Sequence, residues 1–436
     1  MILEILLLAP ALWAWDAGSE AAALERHSAG GVVESARAQV LAESVAVAPR
    51  AVAPRTSSLE SDRIVRIALR DGVAKLEVQL EGAFIAGGKP IANRTISVSK
   101  DRLDESGIPL EPDGSLLISP IATLSAFRIG THTYRGALRV RSIDRSLAAI
   151  NEISLEDYVK GVVPGEIGRK LDPRLLEAVK AQAIVARTYA VRAQGQYGSK
   201  PWDLRDDTRD QMYEGRSGED PLCTRASSET RGQILTDRSG KPIDAYYHST
   251  SGGATADISE VWPGKTVRPY LRGVEDTAPD GRAWGAFAPS ASWTETWPEK
   301  VLLASVRRDL PSALAKPCDP GEVHSLSIEG HDGSGRARKL VVRGKKGVCE
   351  AVGDRIRWAL KRPGGKGILR SARFSLEHVD SRYVARGTGN GHGVGLSQTG
   401  AIGRARAGQR VDFILTSYYP GTVLAQVVGS TGSLDP

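Results

Sequence analysis

From Arg63 onward, apolar and polar residues alternate with a period of two. The runs are Ile64-Val-Arg-Ile-Ala-Leu-Arg70, Val73-Ala-Lys-Leu-Glu-Val-Gln-Leu80, Thr95-Ile-Ser-Val98 and Leu138-Arg-Val-Arg-Ser-Ile143. Gly and Asp-Gly breaks separate them. This is the pattern of half-buried strands, and it predicts a β-rich module over 63–150. The period then changes. Ser154-Leu-Glu-Asp157 fits a capping box with Asp in place of the usual Glu, and it opens a short helix through Val159 that Pro164-Gly165 breaks. Asp172-Pro173 supplies an N-cap followed by proline at the first helical position. A helix to about Gln194 follows, with Leu175, Val179, Ala183, Ala186 and Ala190 forming one stripe.

Strands are expected near Gln233–Thr236 and Ile243–His248. A variable segment, 295–370, contains the Arg-rich helical stretch Asp354–Lys361. A Gly-rich loop, a helix near Ser397–Ala407 and the apolar Phe413-Ile-Leu-Thr-Ser-Tyr-Tyr419 close the chain. The expected class is α+β: a β-rich N-terminal module, 63–150, packed with a mixed α/β catalytic core, 151–425. Residues 1–62 read as a signal-like segment and linker, and 426–436 as a tail.

Composition narrows the class without choosing a function. The chain has 436 residues, 41% hydrophobic and 25% charged, which excludes a mainly disordered, fibrous or membrane-spanning protein. The net charge is +7. After residue 60 there are 54 Lys and Arg against 44 Asp and Glu, so the basic excess lies in the folded part. That excess suits an anionic polymer, either nucleic acid or cell wall, and no basic run chooses between them.

Three cysteines, Cys223, Cys318 and Cys349, show no C-x-x-C and no zinc spacing with histidine. Cys318 and Cys349 share a segment and could pair in an exported protein, leaving Cys223 free. Equally, all three could be small buried hydrophobes. Met1–Trp15 resembles the apolar core of a secretory signal, although no Lys or Arg precedes it and Glu4 interrupts it. The preferred reading is an exported protein of the cell envelope, periplasm or extracellular space; the alternative is a short apolar helix. No integral membrane span is expected elsewhere.

Candidate chemistry begins with Glu166 in Gly161-Val-Val-Pro-Gly-Glu-Ile-Gly168. An acid among Val162, Val163 and Ile167 on a stiff turn would be partly desolvated, which raises a carboxyl pKa toward what a general acid needs. The following helix carries Lys180, Gln182, Arg187 and Tyr189. Lys180 and Arg187 lie two turns apart on one side, beside a stripe of small residues that lets the helix pack closely and leaves the polar groups to converge on a cleft. The Gly-rich run Gly387-Thr-Gly-Asn-Gly-His-Gly-Val-Gly-Leu-Ser-Gln398 places His392 and Gln398 on a closely approachable backbone. It matches neither a dinucleotide fingerprint nor a P-loop. Tyr246-Tyr-His-Ser-Thr-Ser-Gly-Gly253 adds Ser251.

Together these elements resemble the SpoIID/LytB family, named for stage II sporulation protein D and the amidase enhancer. The matching pieces, in family order over about 150–425, are Leu155–Glu166, Leu176-Glu-Ala-Val-Lys-Ala-Gln-Ala with Ala-Arg-Thr-Tyr189, Thr230-Arg-Gly-Gln233, Ser251-Gly-Gly-Ala-Thr255, Glu260-Val-Trp262, Pro269-Tyr-Leu271, Gly389–Gln398 and Tyr418-Tyr-Pro-Gly-Thr422. The resemblance implies a peptidoglycan lytic transglycosylase acting on glycan strands stripped of stem peptides, with the catalytic glutamate at Glu166. It implies that Lys180, Gln182, Arg187, Tyr189, Ser251, His392 and Gln398 line the site and bind the sugar. No cofactor is implied. The partners are peptidoglycan glycan strands and a cell-wall amidase, with no nucleic acid.

Some relatives bind zinc through His and Cys near the stretch matching Asp203–Tyr213. Here Arg209 and Asp210 stand instead, with Cys223 alone downstream, so no metal is expected and Asp, Arg and Gln hydrogen bonds should order the loop. The same loop supplies the candidate second acids, Asp206, Asp207 and Asp210, which leaves a hydrolytic outcome open. The competing reading is a non-catalytic glycan-binding enhancer of a cell-wall amidase, in which Glu166 only holds sugars.

Overall fold

Alternating residues become alternating faces. In the strand Ile64–Val73, Val65, Ile67 and Leu69 point into the core while Ile64 and Arg66 point outward. The computed structural model describes residues 63–427 except 102 and 104–106; the signal-like segment, the linker and all but the first two residues of the expected tail lie outside the described residues. The strand Ile64–Val73 pairs antiparallel with Ser146–Ser154, next to one edge of a seven-stranded sheet. Its other neighbour is the short parallel strand Leu204–Arg205. A four-stranded sheet, built on Lys75–Glu81 between Thr95–Ser99 and Ala126–Ile129, lies alongside in sequence. The class is α+β.

The strand Ser146–Ser154 runs straight into helix α1, Leu155–Ile167, and so crosses the expected boundary at 150. Ser154 caps it, its hydroxyl accepting from Asp157 N at 3.2 Å, as the capping box predicts. The expected stop at Pro164 does not occur. Pro164 sits in the last turn, where it forfeits one bond, to the Lys160 carbonyl. Burial of Tyr158, Val159, Val162, Val163 and Ile167 outweighs that loss and carries the helix on to Ile167. Gly168, at φ 106, ends it.

Asp172 caps a short 3-10 turn, Pro173–Leu175, that leads into helix α2, Leu176–Arg192. The alanine stripe is buried, and so is most of the rest of the helix. Alanines on every side let α1, helix α3 (Pro221–Glu229) and the helix Gln398–Arg406 pack against α2 at once. One hydrophobic core therefore runs from Val65 to Tyr419, shared by both N-terminal sheets and the helices.

The segment 295–370 has a core of its own. Trp293, Trp297, Leu302, Val306, Leu340, Val342, Ile356, Phe374 and Tyr383 form it between two three-stranded sheets and the helix Glu299–Ala313. Cys318 and Cys349 are joined there by a disulfide, and Cys223 is free and buried under α1 and α2. The helical stretch expected at Asp354–Lys361 is one 3-10 turn and one α turn, Gly353–Ala359. Of the strand expected over Ile243–His248, only Tyr247–His248 pairs. No described helix is long and apolar enough to cross a membrane.

Candidate functional site

Three chain segments meet at the C-terminal end of α1. The first contact depends on missing side chains. Gly161 and Gly165 lie one turn apart, and a Cβ at either would stand 2.7 Å from an atom of the loop above: the Tyr213 ring and the Met212 carbonyl oxygen respectively. The loop can therefore rest directly on α1, and Met212 N donates to Glu166 Oε1 at 2.7 Å. The second contact comes from a short parallel pairing of Tyr247 with Leu396 and His248 with Ser397. It brings Tyr247 beside Gln398, at the start of its helix. The Tyr247 hydroxyl and the Gln398 amide are the other donor groups facing the Glu166 carboxylate, and both favour its charged form.

Glu166 is half-buried by accessible surface yet set deep among protein atoms. Desolvation pushes its carboxyl pKa above the ordinary range. The donors from Met212, Tyr247 and Gln398 pull it back only in part. Among the described residues no cation forms an ion pair with it. The donors are themselves held: Gln211 Nε2 donates to the Tyr247 oxygen at 3.1 Å, and Tyr158 donates to Gln211 Oε1 at 3.1 Å. Gln398 Nε2 donates to Gln182 Oε1 at 3.4 Å, while the buried Gln182 Nε2 has no partner among the described residues.

Gln182 and Gln398 thus join Glu166. His392 follows Tyr247 in this site: its Nδ1 accepts from Val394 N at 3.1 Å, and the Tyr247 backbone faces its ring. Burial pushes its pKa down to about 4, so the ring is neutral. It packs against Trp262 at 4.9 Å between ring centres, and Trp262 against Tyr246 at 5.0 Å. This makes a partly exposed aromatic surface that begins at Tyr246, the residue before Tyr247.

The remaining residues go elsewhere. Lys180 and Arg187 do share a side of α2, but that side faces α3. Arg187 is fully buried and bidentate to Glu156 at 2.8 Å for each bond, with its other donors on the carbonyls of Ala183, Ser227 and Gln233. Lys180 pairs with Glu177 and Glu229. The small-residue stripe that was expected to open a cleft instead closes a helix interface. Ser251 is fully buried and donates to Asp276 at 2.7 Å, within a network that includes Tyr418 and Arg404. Tyr189 donates to Asp210 at 3.1 Å.

Hydrogen bonds order the Asp203–Tyr213 loop. Asp203 takes a bidentate Arg66, and Asp210 accepts from Tyr189, Gln196, Tyr197 and the Arg205 backbone. Asp207 is held by Arg209. Burial pushes the Asp206 carboxyl up to about 6, against the pull of Arg70 at 3.6 Å. None of these three acids shares a hydrogen-bond partner with Glu166. The residues that sequence reasoning missed are Tyr247, Gln211 and Tyr158. Tyr158 and Tyr247 lie inside conspicuous motifs, but nothing in the linear pattern says that the strands at 247 and 396 pair.

Residues 144–236 match the family described as Stage II sporulation protein, and residues 287–395 match a domain of unknown function. The second match coincides with the separate core. A Stage II sporulation protein D of Bacillus subtilis is 31% identical, over 70% of this chain and 81% of its own length. The amidase enhancer of the same organism is also 31% identical, over 61% of this chain and 40% of its own length. A protein of Brachyspira hyodysenteriae, itself described as uncharacterized, is 27% identical over 83% of this chain and 92% of its own.

Proposed function

Because the chain belongs to the SpoIID family, we propose that it is a lytic transglycosylase of peptidoglycan, with Glu166 as the one general acid and base. The observation that carries this reading is a deep-set carboxyl group that accepts from Met212 N, faces the neutral donor groups of Tyr247 and Gln398, and has no cation paired with it among the described residues. A carboxyl whose pKa desolvation raises holds its proton more readily than an exposed one and can deliver it to the glycosidic oxygen leaving C1 of a muramic acid residue. The C1–O bond breaks. The C6 hydroxyl oxygen of the same sugar then bonds to C1, and its proton passes to the Glu166 carboxylate, restoring the acid. The products are a free hydroxyl on one fragment and a 1,6-anhydro end on the other, with no water consumed.

A hydrolase of the ordinary kind needs a second carboxylate to act as nucleophile or to activate water. Asp206, Asp207 and Asp210 are each occupied away from Glu166, which favours the single-acid route. Gln182 and Gln398 would bind sugar hydroxyl or acetamido groups, and the Trp262–Tyr246 surface suits the apolar face of a pyranose ring. The disulfide Cys318–Cys349 suits an oxidising compartment, in keeping with export to the cell envelope.

The likeness to an amidase enhancer favours one second reading, a glycan-binding partner of a cell-wall amidase. Peptide-free glycan strands separate the two. Wild-type protein is expected to release anhydro-muramic ends, identified by mass, and Glu166→Gln none. New reducing ends in their place indicate hydrolysis. Strands that are bound but left uncut by the wild type sink the enzyme and favour the enhancer.

A further inference from the structure

We infer that the separate core at 293–385 carries an oxyanion-binding site where it meets the Gly252–Gly253 turn, with the Arg373 guanidinium as its main anchor and a carboxylate or phosphate group as its ligand. A surface depression of about 470 Å³ lies there, lined by Gly252, His331, Gly335, Arg373, Ser375 and Thr388 among others. That volume is in the range of small-molecule sites. No Asp or Glu lines it. Arg386 at its rim is ion-paired with Glu377, but among the described residues the Arg373 guanidinium forms no ion pair and has one hydrogen bond, a 3.4 Å contact to the Thr388 hydroxyl.

An arginine without a carboxylate is ordinary on an open surface, where water solvates it. Arg373 is half-buried, and burial lowers its pKa. Behind it Arg336 is fully buried and donates to neutral acceptors, the carbonyls of Ser251 and Ala254 and the Ser334 hydroxyl. Asp332, whose Oδ1 accepts from the Ser334 and Arg336 backbone amides and the Ser334 hydroxyl, faces both guanidinium groups and offsets them in part. Two cations thus share this carboxylate, which leaves a net positive potential for a ligand oxyanion to complete.

The backbone keeps that spot open. A Cβ on Gly253 or on Gly335 would stand 3.2 Å from Arg373 Nη1 or Nε, and both glycines have positive φ, 111° and 78°. Bare glycines on two sides leave the guanidinium fork facing the depression, with the Ser375 and Thr388 hydroxyls beside it. That is the donor set of a bidentate oxyanion site. It stands apart from Glu166 and does not depend on what Glu166 does.

The test follows backbone amide shifts and titration heats of the full chain with three probes: inorganic phosphate, N-acetylmuramic acid for the carboxylate, and neutral N-acetylglucosamine. Saturable shifts at Gly252, Gly335 and Thr388 with either anion are expected, and the better anion identifies the source. Arg373→Met should weaken that binding about tenfold or more, with Arg373→Lys intermediate and Glu166→Gln unchanged. The wild-type shift map needs no variant, so a poorly folding mutant does not spoil the test. No shifts at those amides, equal shifts with the neutral sugar, or full affinity in a folded Arg373→Met would overturn the site.

Discussion

The two ends of α1 carry two glutamates with opposite fates. Glu156 at the start is buried against a fully buried Arg187 and also accepts from Gly232 N at 3.1 Å. Glu166 near the end is held only by neutral donors. The same side chain on the same helix is in one place a fully paired anion and in the other an acid kept uneasy. The difference teaches what burial alone does not: a desolvated charge with a cation is architecture, and one without is chemistry.

Exchanging the partners should break the comparison most visibly. Glu166→Gln is expected to lower cleavage of peptide-free glycan about 10²- to 10⁴-fold, the usual worth of a general acid, with the fold intact by circular dichroism. Arg187→Met should do the reverse. Leaving Glu156 buried and unpaired costs about 3–5 kcal/mol, seen as a lower denaturant midpoint, while the protein that remains folded keeps its activity per molecule. Should Arg187→Met abolish turnover with unchanged stability, the arginine belongs to the site and the contrast fails.

Next in size is Gly165→Ala. Helix propensity favours the change by about 1 kcal/mol, but the new Cβ would stand 2.7 Å from the Met212 oxygen. Overpacking of this kind costs about 1–3 kcal/mol. The net loss in stability is small, whereas lifting Met212 removes the 2.7 Å bond that aims Glu166. Turnover should therefore fall much more than melting temperature; equal losses would mean that the loop only packs. Tyr247→Phe is milder, removing one donor worth about 1 kcal/mol. Because that donor lowers the Glu166 pKa, its loss should move the alkaline limb of the rate profile upward in pH.

These sites differ in how visible they were in sequence. The strands at 64–73, 75–81, 95–99 and 137–143 were legible because one side of each sheet is buried, and alternation records that directly. Glu166 was legible because proline, glycine and valines around an acid foretell desolvation. Arg187 was misread for a physical reason: a helix buried on nearly every side has no periodic polar face, so periodicity cannot say which neighbour its long side chain meets. Ser251 and Tyr247 fall four residues apart in one motif, and only the parallel pairing with Leu396–Ser397 decides which of them reaches the carboxylate. The pairing of Cys318 with Cys349 was one of two open readings, and only the three-dimensional approach of the two segments decides it.

The smallest effect is the most diagnostic of the contrast. A carboxyl whose folded pKa lies above its ordinary 4.5 binds more protons in the native than in the unfolded state across the window between the two values. The stability tied to protonated Glu166 should therefore be fully present below about pH 4.5 and be lost as pH rises through the folded value. Glu166→Gln lacks that loss. The Gln amide keeps an oxygen for Met212 N but turns its nitrogen toward other donors, which adds a pH-independent offset, so the slope is the readout. Asp206, whose pKa is also raised, is present in both proteins and cancels. The midpoint difference between Glu166→Gln and wild type, followed by chemical denaturation, should grow from acid toward neutrality. Parallel curves would mean that Glu166 is as comfortably charged as any surface glutamate, and the acid at the heart of the site would be gone.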